Sequence, residues 1–221
     1  MRTQIALLTL LLLLPLLGCL AQPASPELQN TRVAKGDTLI SNSLPKLKLK
    51  FGKDFRYVGG QTFILYDVAS AEQHFYVDAD SHGSISRLYW VQFEGYLPEN
   101  NHKYDYSKSQ KQVNIDGLDF YADTWARQVV PGGRPGSDGA KAIDFLTSKG
   151  YRLKRDEVVT QRLVNMVDPS NRNELMVIYL EVLTDGSTAA YLLPNGKDAA
   201  KWPEVSDGLL ARAKQNMKIE R

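Results

Sequence analysis

Apolar and polar residues alternate along much of this chain with a period of two, the pattern of β-strands that bury one face. The clearest case is residues 44–51, where apolar residues alternate with lysines. Lysines along the outer face of a strand commonly protect a sheet edge against aggregation. We therefore predict an edge strand here. Contact of these lysines with a membrane surface is the alternative.

Six further segments have the composition of strands. They are rich in aromatic and β-branched residues, and short stretches of Gly, Pro, Asn, Asp and Ser separate most of them. They cover residues 55–66, 74–79, 85–97, 118–130, 157–167 and 175–184. Gly59 and Gly60 predict a bulge or bend inside the first of them. Loops are expected at residues 99–110 and 131–136.

A helical period of apolar residues appears in two places. Residues 138–149 form one predicted helix, with Ser137 as its N-cap and Gly150 as its terminator, and residues 206–217 form the other. Strands outnumber helices, and no strand–helix–strand unit repeats. We therefore predict an α+β fold: a large, mostly antiparallel sheet with two helices packed on it, in a single domain.

The N-terminus has the layout of a secretory signal peptide. Arg2 precedes an apolar run over residues 5–17, so residues 1–21 are interpreted as a targeting segment. The sequence Leu-Leu-Gly-Cys that ends at Cys19 resembles a bacterial lipoprotein cleavage box, in which the cysteine is acylated. Ordinary cleavage after Ala21, giving a free secreted protein, is one alternative. An uncleaved membrane anchor is the other.

The segment after the signal begins with Pro and Ser and is polar. Residues 22–43 are predicted to form a tether or extended segment, and residues 44–221 the single α+β domain. The protein is therefore expected to be exported, either held at the cell envelope by an acylated Cys19 or secreted. In the first case the membrane is a predicted partner.

Charge and cysteine content exclude some classes of protein. The chain has 27 basic and 25 acidic residues, and loss of Arg2 with the signal leaves 26 against 25, a net charge of +1. This balance gives no basis for nucleic-acid binding. Cys19 is the only cysteine, so the mature fold is held by its core and not by disulfides. No phosphate-binding loop is present in the sequence, and no cofactor is predicted.

Acidic and imidazole side chains share one parity over residues 72–82, so a strand would place them on one face: Glu72, His74, Tyr76, Asp78, Asp80 and His82. Residues 78–85 also resemble the first eight positions of a calcium loop. Asp78, Asp80 and His82 are therefore candidate metal ligands. The alternatives are a solvated outer strand face for the whole set and a hairpin turn for the loop.

Aromatic residues concentrate on two of the predicted strands. Tyr89 and Phe93 have one parity and Trp90 and Tyr96 the other, so the two pairs face opposite ways. Aromatic sheet faces with a few polar groups are typical ligand sites. The candidate ligand-binding residues are Trp90, Gln92, Glu94 and Tyr96. The alternative is that one set faces the main core and the other lies beneath the helices.

These patterns favour an exported, non-enzymatic module that binds a small apolar or aromatic ligand, or a partner protein, on the aromatic face. The main alternative is a hydrolase, for instance one acting on glycans, that pairs Glu94 with Asp119 or Asp123. No Gly-x-Ser-x-Gly motif indicates a nucleophilic serine. A structural envelope protein without a small-molecule site is the third possibility.

Overall fold

The computed structural model describes residues 31–130, 132–184 and 186–221. The targeting segment, Cys19 and the first part of the predicted tether lie outside these residues. The described chain forms mostly antiparallel sheets with three α-helices. None of its helices is long and apolar enough to cross a membrane.

Twelve strands follow one another along the chain. They are β1 Arg32–Lys35, β2 Thr38–Ser41, β3 Leu47–Phe51, β4 Arg56–Leu65, β5 Ala69–Ala79, β6 Ser84–Tyr96, β7 Lys111–Ile115, β8 Leu118–Gln128, β9 Arg152–Leu153, β10 Glu157–Met166, β11 Asn173–Val182 and β12 Met217–Glu220. The helices are α1 Asp138–Ser148, α2 Ala189–Leu192 and α3 Trp202–Gln215, with a 3-10 turn at Ala199–Lys201.

The strands form two sheets. The large sheet has the antiparallel order β4-β5-β6-β11-β10-β8-β7, and the short β9 adds a parallel pairing to β6. The small sheet has the order β1-β2-β3-β12, so the last strand of the chain pairs with the third. This arrangement puts β11 and β10 between β6 and β8, although both follow β8 in sequence.

Both faces of the large sheet are covered. On one side, which we call the α3 face, Tyr89, Val177 and Leu163 pack against the small sheet and against α2 and α3. On the other, the α1 face, Phe75 and Trp90 belong to a second core that α1 covers. Burial of each large apolar side chain contributes about 1.5–3 kcal/mol, so the two cores stabilise the sheet from both sides.

Helix α1 begins and ends where the sequence predicts. The Ser137 hydroxyl accepts a hydrogen bond from the backbone N–H of Ala140 at 3.1 Å, which confirms the N-cap. After the helix, Gly150 adopts φ +81°, the left-handed conformation that favours glycine. The apolar face of α1 lies on the large sheet through Ala142 and Leu146.

The predicted bulge in β4 is also confirmed. The register of β4 against β5 shifts between Tyr57 and Gly59, and Gly59 has φ +129°. A Cβ at this position would lie 2.8 Å from Cζ of Phe145 on α1. Glycine is therefore required by both the backbone conformation and the close approach of the helix.

The prediction of a single large sheet is incomplete, because the structure adds a second one. Strands β1 and β2 lie within residues 22–43, so the folded part begins before residue 44, where the sequence analysis placed the start of the domain. Strand β12 follows α3 directly at Met217, which the analysis assigned to the helix. β1 and β2 form a tight hairpin, whereas the pairing of β3 with β12 joins distant parts of the chain. Strand β3, predicted as an edge strand, is therefore an inner strand between β2 and β12.

Candidate functional site

A cavity of about 500 Å³ lies on the α1 face, beneath the first turn of α1. Its floor is the large sheet, its roof is the beginning of α1, and the loop before α1 forms its rim. The side chains that give it chemical character are Trp90, Trp125, Arg127, Arg162, Asp138 and Met176. A volume of this size holds a small organic ligand.

The floor is a row of residues in register across three strands. Trp90 on β6 is paired with Ile178 on β11, and Ile178 with Arg162 on β10. Trp125 on β8 lines the far side of the same cavity. Trp125 lies three strands from Trp90 and two residues further along, so the two tryptophans stand roughly 16 Å apart at their backbones. They border an apolar floor formed by Ile178 and Met176.

Arg162 supplies a guanidinium group at the β10 side of the cavity, next to the apolar floor of Ile178 and Met176. Its Nη2 donates a hydrogen bond to Oδ2 of Asp123 at 2.7 Å. Its carbon Cζ lies 5.0 Å from the ring centre of Tyr106 and 5.8 Å from that of Trp125. Among the described residues, Nε of Arg162 is buried without a hydrogen-bond partner. Arg162 therefore lines the cavity with one buried donor unpaired.

Other charges surround the cavity at the start of α1. Arg127 and Arg134 line it, and the Arg134 guanidinium also lies over the ring of Tyr66 at 5.1 Å. Burial raises the pKa of Asp138, although its carboxylate accepts a hydrogen bond from the N–H of Gly139 at 2.7 Å. Burial thus disfavours the ionised form of Asp138, the one acidic side chain in the roof. The guanidinium groups therefore determine the sign of the potential in the cavity.

A chain of side-chain hydrogen bonds holds Trp90 from behind. Nε1 of Trp90 donates to Oε1 of Gln92 at 3.2 Å, and Nε2 of Gln73 donates to the same oxygen at 2.8 Å. Nε2 of Gln73 also donates to the backbone carbonyl of Asp138 at 3.1 Å. Gln73 and Gln92 are fully buried. The indole is therefore fixed relative to both the sheet and α1.

This chain ends at a pair of buried carboxyl groups. Gln92 donates to Oε2 of Glu94, and the hydroxyl of Tyr104 donates to Oε1 at 2.6 Å. Glu94 on β6 is the register partner of Glu174 on β11, so their Cβ atoms lie roughly 5 Å apart. Burial and the nearby charge of Glu174 raise the pKa of Tyr106. The two carboxyl groups share one enclosed site.

The site raises the pKa of both carboxyl groups. Burial is the main cause for Glu94. For Glu174, burial and then the nearby charge of Glu94 raise the pKa to about 8. Among the described residues, Oε2 of Glu174 is buried without a hydrogen-bond partner. A protonated carboxyl is the less costly state for such a group at neutral pH.

The α3 face also buries a carboxylate, but with different neighbours. Glu72 accepts hydrogen bonds from the backbone N–H groups of Thr31 and Arg32, both at 2.9 Å, and from the Arg32 guanidinium at 2.9 Å. Its Oε1 also lies 2.8 Å from Nε2 of His74, whose Nδ1 is 2.9 Å from the hydroxyl of Tyr57. Both oxygens of Glu72 are therefore occupied.

A cavity of about 540 Å³ adjoins this cluster at the ends of β5 and β6. Arg32 and Glu72 line it, and the Arg32 guanidinium stacks over the ring of Phe93 at 4.0 Å. Arg32 and Glu72 satisfy each other. Glu94, Tyr96 and Glu174 also line this cavity, so it extends to the edge of the buried carboxyl pair.

No family model, curated protein or solved structure matches this chain. Interpretation of the site therefore depends on its geometry.

Of the four predicted ligand-binding residues, Trp90 lines the cavity of the α1 face. Gln92 and Glu94 lie behind it in the buried chain. Glu94 and Tyr96 line the other cavity, at the ends of β5 and β6, and Tyr96 stacks on Tyr104 with ring centres 4.4 Å apart. As parity predicts, Tyr89 belongs to the opposite core. Sequence and structure thus agree that the two aromatic sets face opposite ways.

The predicted metal ligands Asp78, Asp80 and His82 each have another local environment. Asp78 accepts a hydrogen bond from Arg87 at 2.7 Å, and Asp80 accepts backbone hydrogen bonds from His82 and Ser84 in the turn. Within the described part of the chain, no group of three His, Cys, Asp or Glu side chains could hold a metal ion.

The predicted solvated face of β5 is wrong for its first half. Glu72 is 5% exposed, and His74 and Tyr76 are fully buried. The alternation of polar residues there is typical of a strand with one solvent-exposed face. The small sheet, however, covers that face and supplies Arg32 as a partner for Glu72. The inference failed because this second sheet was not anticipated.

The predicted carboxylate pairs of Glu94 with Asp119 or Asp123 are also not formed. The strand order places β11 and β10 between β6 and β8, so Glu94 meets Glu174 instead. Sequence reasoning missed Glu174, together with Arg127, Arg162 and Asp138. Parity alone puts Glu174 on the same face as Met176. Only the strand order places Glu174 beside Glu94.

Proposed function

We propose that this protein is a non-enzymatic binding module that holds a small apolar or aromatic ligand in the cavity beneath the first turn of α1. The observation that carries the proposal is the pair Trp90 and Trp125 on either side of an apolar floor. Aromatic walls around a concave site give a ligand large contact area at little cost in side-chain entropy.

The rigidity of the site supports binding. Trp90 is hydrogen-bonded through Gln92 to a fully buried chain that reaches the backbone of α1. A wall that is already ordered loses little conformational freedom when the ligand enters. The cavity is therefore preorganised on the side formed by β6.

The state of Glu94 favours binding over the hydrolase alternative. Gln92 and Tyr104 occupy its two oxygens, and the residue is 9% exposed. A hydrolytic carboxylate must reach either a water molecule or the substrate. Glu94 and its register partner Glu174 border the cavity at the ends of β5 and β6, but Glu94 would have to give up one of these two hydrogen bonds to act on a substrate there.

Export and anchoring belong to the same proposal. We place the module at the cell envelope, tethered through an acylated Cys19, because the cysteine ends an apolar run in a lipoprotein-like sequence. The charge balance supports no role in nucleic-acid binding.

Titration with the neutral fluorescent dye N-phenyl-1-naphthylamine tests the proposal. We expect saturable binding, and Trp125→Ala should weaken it about tenfold or more, which corresponds to about 1.4 kcal/mol of lost aromatic contact. Trp202→Ala is the matched control, because Trp202 lies on α3 against the opposite core. It should leave the affinity within about twofold.

Circular dichroism and the urea midpoint show whether each variant is folded. Absence of saturable dye binding to the folded wild type would refute the proposal. Equal affinities of folded Trp125→Ala and wild type would refute the placement of the ligand.

A further inference from the structure

We propose that the ligand of this cavity is an anionic amphiphile, with its charged head among the arginines at the start of α1 and its apolar chain running along the side of α1. This inference rests on the proposed function and specifies the class of ligand. Two adjoining cavities with different linings carry it.

The second cavity lies further along α1, towards its C-terminal end, and has a volume of about 190 Å³. Ile85, Leu146 and Leu153 give it an apolar lining. It shares Val129 and Ile143 with the first cavity, so the two meet at these residues on one side of the helix. Together they form a groove that is polar at one end and apolar at the other.

The polar end carries an excess of positive charge. Arg162 is balanced by Asp123, to which it donates at 2.7 Å. Arg127 and Arg134 remain, and Asp138 is the one acidic side chain that lines this cavity. An anionic head would therefore be attracted here, and a cationic head repelled.

Two further features favour an anion at this position. Among the described residues, the buried Nε of Arg162 lacks a hydrogen-bond partner. The first turn of the eleven-residue helix α1 forms the roof, and the N-terminus of a helix carries partial positive charge. The head group would lie between guanidinium groups on the sheet and the positive end of the α1 dipole.

The length of the groove suits a medium chain. Residues 138 and 146 mark its two ends along α1, and a rise of 1.5 Å per residue separates them by roughly 12 Å. An extended decanoate chain has a comparable length, whereas butyrate would leave the apolar cavity empty. The geometry therefore selects for both the charge and the length of a ligand.

Displacement of N-phenyl-1-naphthylamine by three compounds tests this inference. Decanoate has the proposed charge and length, decyltrimethylammonium has the same chain with the opposite charge, and butyrate has the same head with a short chain. We expect decanoate to displace the dye at a concentration about tenfold lower than either of the others.

The site of the charge preference is tested by Arg127→Gln, which removes a guanidinium from the exposed rim. We expect it to reduce the preference for decanoate over decyltrimethylammonium about tenfold. Lys48→Gln is the control, because it removes one positive charge from an exposed ion pair on the small sheet. It should leave the preference unchanged.

The outcomes separate this inference from the proposed function. If the dye binds and Trp125→Ala weakens it, but decanoate and decyltrimethylammonium are equally effective, the anionic head is refuted and the binding function stands. Equal potency of butyrate and decanoate refutes the apolar chain. Failure of the dye to bind the folded protein refutes the proposed function itself.

Discussion

The two faces of the large sheet bury carboxyl groups in opposite electrostatic states. On the α3 face, burial alone would raise the pKa of Glu72, but hydrogen bonds from His74, Arg32 and Thr31 lower it to about 2. On the α1 face, burial and the neighbouring Glu94 raise the pKa of Glu174 to about 8. Burial raises the pKa of both Glu72 and Glu174, and hydrogen-bond partners outweigh burial only at Glu72.

The two faces also differ in the elements that cover them. A four-stranded sheet and two helices cover the α3 face, and its buried charge is fully satisfied, although a cavity opens beside it at the ends of β5 and β6. The α1 face is covered by α1 and by the loop that carries Tyr104 and Tyr106, and two adjoining cavities remain beside the helix. We therefore interpret the α3 face as the stabilising side of the sheet and the α1 face as the binding side.

The largest expected effect comes from removing the satisfied carboxylate. Glu72→Ala would leave the Arg32 guanidinium, whose side chain is 12% exposed, without its ion-pair partner. We expect the free energy of unfolding to fall by about 3–5 kcal/mol, measured by urea denaturation at pH 7.

The control for this variant is Glu220→Ala, which breaks the exposed ion pair with Lys48 and should cost less than about 1 kcal/mol. A loss for Glu72→Ala as small as that of Glu220→Ala would contradict the stabilising role of the cluster.

A pH-dependent effect is expected from Glu174. Below pH 4.5 its carboxyl is protonated in both folded and unfolded chains. Between pH 4.5 and about 8, the folded state binds a proton that the unfolded state has lost, so this group's contribution to stability falls as the pH rises. Each unit of this shift corresponds to about 1.4 kcal/mol, and the total is on the order of a few kcal/mol.

Glu174→Gln should remove this slope and make the folded protein more stable than wild type at pH 8. Denaturant unfolding from pH 5 to pH 9 measures both effects. Glu99→Gln, which changes an exposed glutamate in a loop, should retain the wild-type slope. A Glu174→Gln variant with an unchanged slope would show that Glu174 is ionised in the folded protein.

A smaller effect is expected from Tyr104→Phe, which removes the hydroxyl that donates to Glu94 at 2.6 Å. The ring, which stacks on Tyr96, is retained. We expect a loss of roughly 1–2 kcal/mol at pH 7. Tyr66→Phe, at an exposed position, should change stability by less than about 0.5 kcal/mol. Equal effects of the two variants would show that the Tyr104 hydroxyl does not stabilise the carboxyl pair.

Much of the local structure could be predicted from the sequence. The strand pattern, the bulge at Gly59 and the cap of α1 at Ser137 all follow from short-range rules, and the structure confirms them. The opposite orientation of Tyr89 and Trp90 likewise follows from strand parity.

The parts that could not be predicted depend on contacts between distant segments. The pairing of Glu94 with Glu174 needs the order of β6 and β11, and the burial of Glu72 needs the small sheet that brings Arg32 over it. In each case the residues are separated by at least 40 positions in the chain. No local pattern contains this information.

The indole N–H signals of the three tryptophans allow the most direct test of the binding side. Trp90 and Trp125 line the cavity of the α1 face, and Trp202 packs against the opposite core. An isotope-labelled protein titrated with decanoate should show shifts of the Trp90 and Trp125 signals, each assigned through its Trp→Phe variant, while the Trp202 signal stays in place. A shift of Trp202 with no change at Trp90 and Trp125 would contradict the assignment of ligand binding to the α1 face.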